Sequence, residues 1–117
     1  MKYLCLAYGA EADWKALSKD EQSKLLAQDE VIRNRGALMA AVETTVLTVR
    51  APNGTPDVAE EDFASPRLPL AGFSVIEADS VSEVIELVAK TPCARAKGAI
   101  EIRPIMAIND GQWRSRR

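Results

Sequence analysis

No histidine occurs among the 117 residues of this chain, and that gap removes a large share of enzyme chemistry. Activation of a nucleophile by Ser-His-Asp or Cys-His is out, and so is zinc held by imidazole. The two cysteines, Cys5 and Cys93, are too few for a four-cysteine metal site. They stand far apart in sequence and read as free thiols in a reducing cytosol, with Cys5 as inert strand packing. Any proton transfer has to use carboxylates, Tyr, Lys, Cys or water. The net charge of −2 is too small to draw nucleic acid over a distance. No apolar run nears the ~20 residues of a membrane span. The run KYLCLAY starts at residue 2 with no small-residue cleavage site after it, so no signal peptide is expected, and the expected location is cytoplasmic.

What is present is the composition of a globular domain, with 47% apolar and 27% charged residues. The length suits one domain, and a domain of this size can build a core without disulfide or metal staples. The expected domain covers residues 1–108. The last nine, NDGQWRSRR, have no periodicity and are expected as an exposed tail. Its three Arg and one Trp would suit a nucleic-acid contact, but a frayed terminus is the simpler reading.

Lys2 to Tyr8 reads as a strand, with Leu4 and Leu6 on one face and Tyr3, Cys5 and Ala7 on the other. The segment GAEADWKAL follows Gly9 and can open a short helix. Ser18 and Glu21 form a capping-box pattern, opening a helix that carries Leu25, Leu26, Ala27, Val31 and Ile32 and stops at Gly36. The β-branched run from Val42 to Val49 predicts a second strand, and Pro52-Asn53-Gly54 a turn. A long connection with three prolines, Thr55 to Ala71, leads to a strand over Phe73–Ala78; a loop of that length inside a small domain points to function or mobility. Ser80 and Glu83 repeat the capping box, and Val81, Val84, Ile85, Val88 and Ala89 form one helical stripe that ends at Thr91-Pro92. The final strand, GAIEIRPIM, sets Ile100 and Ile102 opposite Glu101 and Arg103.

The order β-α-β-β-α-β predicts an α+β, ferredoxin-like domain: a four-stranded antiparallel sheet with both helices on one face. The other sheet face offers Tyr3, Cys5, Ala7, Thr45, Leu47 and Val49 or their alternates, too apolar for water. A homodimer packed through that open face is expected.

The segments MKYLCLAYG, DWKALSKDEQ, GFSVIEADSVSEVIEL and PCARAKGAIEIRPI, in that order, resemble the YCII-related proteins over Met1 to about Met106, and most closely the branch named for an Asp-Gly-Pro-Phe motif. The resemblance implies the dimeric α/β barrel fold, an undefined activity and a regulatory partner linked to extracytoplasmic-function sigma factors. Counted back from Gly72 without gaps, the naming motif falls on Glu60 to Gly72. Phe63, Ala64, Leu70 and Gly72 match. Glu60 stands in place of Asp, while Glu61 and Asp62 replace the turn-forming Gly-Pro. The His–Asp pair proposed for the YCII proteins has no counterpart here.

Three sets of residues are candidates for a site. Glu60, Glu61 and Asp62 are a solvated loop, a proton-transfer or binding site with Glu60 and Asp62 as the acting acids, or a cation site. Glu101 and Arg103 line a ligand pocket, where Arg103 forks onto a carboxylate, or they form an interfacial ion pair. Both match the family's terminal Glu-x-Arg-Pro. Tyr8, Trp14, Phe63 and Phe73 wall an aromatic pocket or pack in a core or dimer interface. Arg95 is a helix cap or an anion contact. The expected function is a dimeric small-molecule-binding or accessory module, for which the resemblance implies a regulatory role. The alternative is an enzyme using carboxylate-assisted proton transfer on a small polar or aromatic substrate. Neither reading calls for a metal or cofactor.

Overall fold

The computed structural model describes residues 1–61 and 68–108. Ten elements follow in order: β1 (Lys2–Tyr8), α1 (Glu11–Lys15), α2 (Lys19–Asn34), β2 (Leu38–Ala41), β3 (Thr48–Arg50), β4 (Asp57–Ala59), β5 (Leu70–Glu77), α3 (Val81–Val88), α4 (Pro92–Arg95) and β6 (Ala99–Pro104). The main sheet is antiparallel in the order β2-β5-β1-β6, which is the ferredoxin-like arrangement. β3 and β4 pair with each other as a separate hairpin around the Pro52–Gly54 turn, where the Gly54 N–H donates to the Ala51 carbonyl at 3.1 Å.

Both expected serine N-caps form, without the reciprocal bond from the cap's own N–H to the Glu side chain. Ser18 Oγ accepts the Glu21 N–H at 3.1 Å, and Ser80 Oγ accepts the Glu83 N–H at 3.3 Å. Each satisfies a donor that the first helical turn would otherwise leave unpaired. Glu83 also accepts the Asp79 N–H and pairs with Arg35 at 2.9 Å, while Arg35 reaches the Glu77 carbonyl. Arg35 thereby ties the end of α2 to the end of β5 and the start of α3.

The apolar stripes are narrower than the sequence suggests. On α2, Leu25 and Ile32 are buried while Leu26 and Val31 are half exposed; on α3, Val84 and Val88 are buried while Val81 and Ile85 are not. Thr91 and Pro92 do end α3, but Pro92 then opens α4, at a first-turn position where a missing N–H costs nothing.

The second strand departs from expectation. Val42–Val49 does not form it; Leu38–Ala41 does, with Leu38 opposite Val75 and Ala41 opposite Gly72. Of the β-branched run, Thr48–Arg50 alone is strand. Pairing with β5 outweighs intrinsic preference here, because strand propensity reflects a half-buried surface to pack on rather than the backbone itself.

Register settles the two faces of the sheet. Tyr3 opposes Ile76, and Cys5 opposes both Ser74 and Ile102. These residues face the helices, and the core cluster joins Tyr3, Cys5, Ile76 and Ala78 to Ile32, Val84 and Val88. Tyr3, Cys5 and Ala7 thus lie on the covered side. The open side carries their alternates Leu4, Leu6 and Tyr8 beside Phe73 and Val75, all half-buried, and Leu38, which is exposed.

Candidate functional site

The covered face is well filled at one end and hollow at the other. At the Tyr3 end the core cluster closes over the sheet, with Ile76 and Val84 fully buried. Toward the other end of β1 the inward residues shrink: Cys5 beside Ser74, then Ala7 between Gly72 and Ile100. A cavity of about 240 Å³ opens there. Its floor is Cys5, Ala7, Gly72, Ser74 and Ile100; Asp29, Ile32 and Arg33 come from α2, Met39 to Ala41 from β2, and Val88 with Thr91 to Cys93 from the end of α3 and the start of α4. Small floor residues under two helices leave a volume that no side chain of the described residues enters.

Two glycines allow close backbone approaches, Gly72 in the floor and Gly98 behind Cys93. A Cβ on Gly72 would stand 2.5 Å from the Ala40 carbonyl oxygen, and one on Gly98 would stand 2.1 Å from that of Tyr8 and 2.6 Å from that of Cys93. Their backbones approach their neighbours more closely than any side chain permits. Gly98 also donates its N–H to Cys93 at 2.9 Å, fixing the α4 wall against the end of β1.

Most polar groups in the cavity are engaged. The Thr91 hydroxyl donates to the Val88 carbonyl at 2.5 Å. Cys5 and Ser74 share a hydrogen bond that lowers the Cys5 pKa, although burial, the larger effect, raises it. Arg33 pairs with Glu30. Asp29 differs. Burial raises its pKa, the nearby Arg33 charge offsets this in part, and no hydrogen bond or ion pair forms to its carboxyl among the described residues. Cys93 is raised by burial and then by the Asp29 charge, which puts acid and thiol within electrostatic reach of each other.

The residues singled out in the sequence do not converge on this cavity. Glu60 is exposed beyond β4, and its neighbour Glu61 has its carbonyl held by the Thr48 hydroxyl at 2.6 Å. Asp62 and Phe63 lie outside the described residues, as does the tail over 109–117. Glu101 and Arg103 pair with each other at 3.1 Å on the open side of β6 and are exposed. Tyr8 is half-buried on the open side, and Trp14 is half-buried on α1, its carbonyl accepting from Gln22 at 2.9 Å. Arg95 borders a second, polar groove with Lys24 and Lys90. Of the aromatic candidates, Phe73 borders the cavity. Sequence reading passed over Asp29, yet a signal was there: Leu25, Asp29 and Ile32 stand at i, i+4 and i+7, which puts an acid in the buried stripe.

No group of three or more His, Cys, Asp or Glu among the described residues is placed to hold a metal ion, and none of the described helices is long and apolar enough to cross a membrane. The family model described as the YCII-related domain matches residues 1–109. No curated protein sequence matches the chain. Among solved structures, it is similar to the 5-chloro-2-hydroxyhydroquinone dehydrochlorinase of Burkholderia phenoliruptrix in complex with 2,5-dihydroxybenzoquinone. The identity is 19%, the TM-score 0.47, and the likeness covers 90% of this chain and 93% of that one.

Proposed function

The chain belongs to the YCII-related family, and from that premise we propose that it is a homodimeric small-molecule-binding protein whose ligand occupies the cavity between sheet and helices. The observation that carries this reading is the cavity itself, about 240 Å³ and mostly apolar. An engineered apolar cavity of roughly 150 Å³ already takes benzene, so there is room for one substituted ring. Binding is tested by ligand-observed NMR with a library of single-ring compounds, on the wild type and on Ala7→Leu, which extends a floor residue into the space. Hits that vanish in Ala7→Leu support the site; a wild type with no hits, or a variant that binds equally well, overturns it.

The dimer is supported by the open sheet face. Leu4, Leu6, Tyr8, Phe73 and Val75 form an apolar band whose removal from water on pairing is favourable. The exposed Glu101–Arg103 pair lies beside it on β6, where a polar rim would fall. Light scattering at micromolar concentration is expected to give the dimer mass, and Leu6→Glu the monomer mass; a monomeric wild type sinks the assignment.

The second reading, an enzyme that transfers a proton through a carboxylate, draws on Asp29. It is the acid that lines the cavity, and burial biases it toward holding its proton, as suits a general acid or base. Turnover of a cavity ligand lost in Asp29→Asn but kept in Glu60→Gln would favour it. Turnover that survives Asp29→Asn excludes it.

A further inference from the structure

Asp29 has the Arg33 charge nearby but forms no ion pair with it. Its carboxyl borders an apolar cavity and receives no hydrogen bond among the described residues. The charged and titratable groups packed around that space are already committed or ill-suited to it. Arg33, one turn further along α2, is drawn to Glu30. Cys5 on the sheet floor bonds to Ser74. Cys93 on α4 is a thiol whose ionisation both burial and Asp29 itself oppose. An ionised carboxylate offers acceptor sites only, and a half-desolvated one without a donor is a standing cost to the fold.

Charge around the cavity points the same way. The charged residues lining the cavity are Asp29 and Arg33, and Arg33 pairs with the exposed Glu30 outside the lining, so the Asp29 carboxyl is the lining charge without an ion pair among the described residues. A ligand that brings a cationic donor would satisfy the carboxylate and bury its apolar body against Ile32, Met39, Val88 and Ile100. A ligand that brings a carboxylate would have to draw Arg33 away from Glu30 or stand unpaired beside Asp29.

We propose that Asp29 is the polar anchor of the cavity and that the ligand class is a compact amine: one ring, or a branched chain of similar size, carrying a protonated primary or secondary nitrogen. This rests on the cavity being the ligand site, as argued above. Pairing with a cation in the cavity would favour the ionised acid and offset the effect of burial on Asp29.

Three probes with the same ring separate the possibilities: benzylamine, benzyl alcohol and benzoate. Their affinities are measured by NMR titration against wild type, Asp29→Asn and Ala7→Leu. Expected is the order amine, alcohol, carboxylate, with at least about a tenfold gap between the first and the last, the usual size of one charge-assisted hydrogen bond. Asp29→Asn, which keeps the shape and removes the charge, is expected to flatten the order. Acidifying the wild type until Asp29 is protonated should close the gap between amine and alcohol, neither of which titrates in the carboxylate range, with no mutation to perturb folding. If benzoate binds as tightly as benzylamine, or the order persists in Asp29→Asn, the anchor assignment falls while the cavity stands, provided Ala7→Leu still blocks binding. If none of the three binds at millimolar concentration, the cavity reading and this inference fall together.

Discussion

At one end of the covered sheet face, Tyr3, Ile76 and Ala78 meet Ile32 and Val84 with no room to spare; at the other, Cys5, Ala7, Gly72 and Ser74 lie under α2 and α4 and leave about 240 Å³. The strands are the same, and the β1–β5 pairing is regular from Lys2 to Ala7, with a register shift only past Ala7 at the hollow end. What changes is the volume carried by each inward position. A ferredoxin-like sheet therefore does not need a loop insertion to make a site. It needs only a step from large to small residues along two adjacent strands, with helices anchored firmly enough at the filled end to span the empty one. Interiors are close-packed by default, so a run of small inward residues that the helices do not collapse onto marks the end to examine.

The contrast can be broken most forcefully at the filled end. Ile76→Ala removes a fully buried side chain and should lower the unfolding free energy by about 2–5 kcal/mol, read from urea titration. A cost under about 1 kcal/mol would mean that this end is not the packed one. Next come paired enlargements. Ala78→Leu adds volume where Ala78 is buried and should cost about 1–3 kcal/mol, whereas Ala7→Leu enters the cavity and should change stability by less than about 1 kcal/mol in either direction. Equal costs would erase the difference between the two ends.

Asp29 supplies a third, smaller effect that depends on pH. Its folded pKa lies above its ordinary value, so between the two the folded state holds more protons than the unfolded one and stability falls as pH rises. Asp29→Asn should therefore melt at a higher temperature than wild type at neutral pH, and the gap should close as the pH drops below the ordinary carboxylate range. A variant less stable at pH 7 would show that the carboxylate has a partner after all. The smallest effect belongs to Glu83, far from the cavity. Hydrogen bonds from the Asp79 N–H and then from Arg35 hold its pKa down. Its contribution is present above the ordinary carboxylate range and lost as pH falls through the lowered value. Glu83→Gln should melt slightly below wild type at neutral pH and together with it in acid.

Much of the filled end was legible in the sequence. Ser18 and Ser80 announced the two main helices through local capping rules, and Lys2–Tyr8 with Phe73–Ala78 announced two central strands through alternation. What escaped was set by pairing rather than by local preference. Leu38–Ala41 has little strand character of its own and is recruited by β5, while Val42–Leu47 has the right residues and no partner strand among the described ones. The cavity was hidden for a related reason. Cys5, Ala7, Gly72 and Ser74 are each unremarkable where they stand, and register alone brings them side by side. The acids Glu60 to Asp62 form a cluster visible in the sequence, whereas Asp29 is marked only by a helical spacing that places it among buried neighbours.

Gly72 and Gly98 also bear on how a lineage carrying this fold can change its ligand. Because main-chain atoms, not side chains, make the tightest contacts at these two points, the cup's outline is inherited with the backbone. Drift can reach the interior only by exchanging residues such as Ala7, Met39, Val88 and Cys93, one small step of volume or polarity at a time. Close descendants should then differ in which ring substituents they accept well before they differ in where the ring sits.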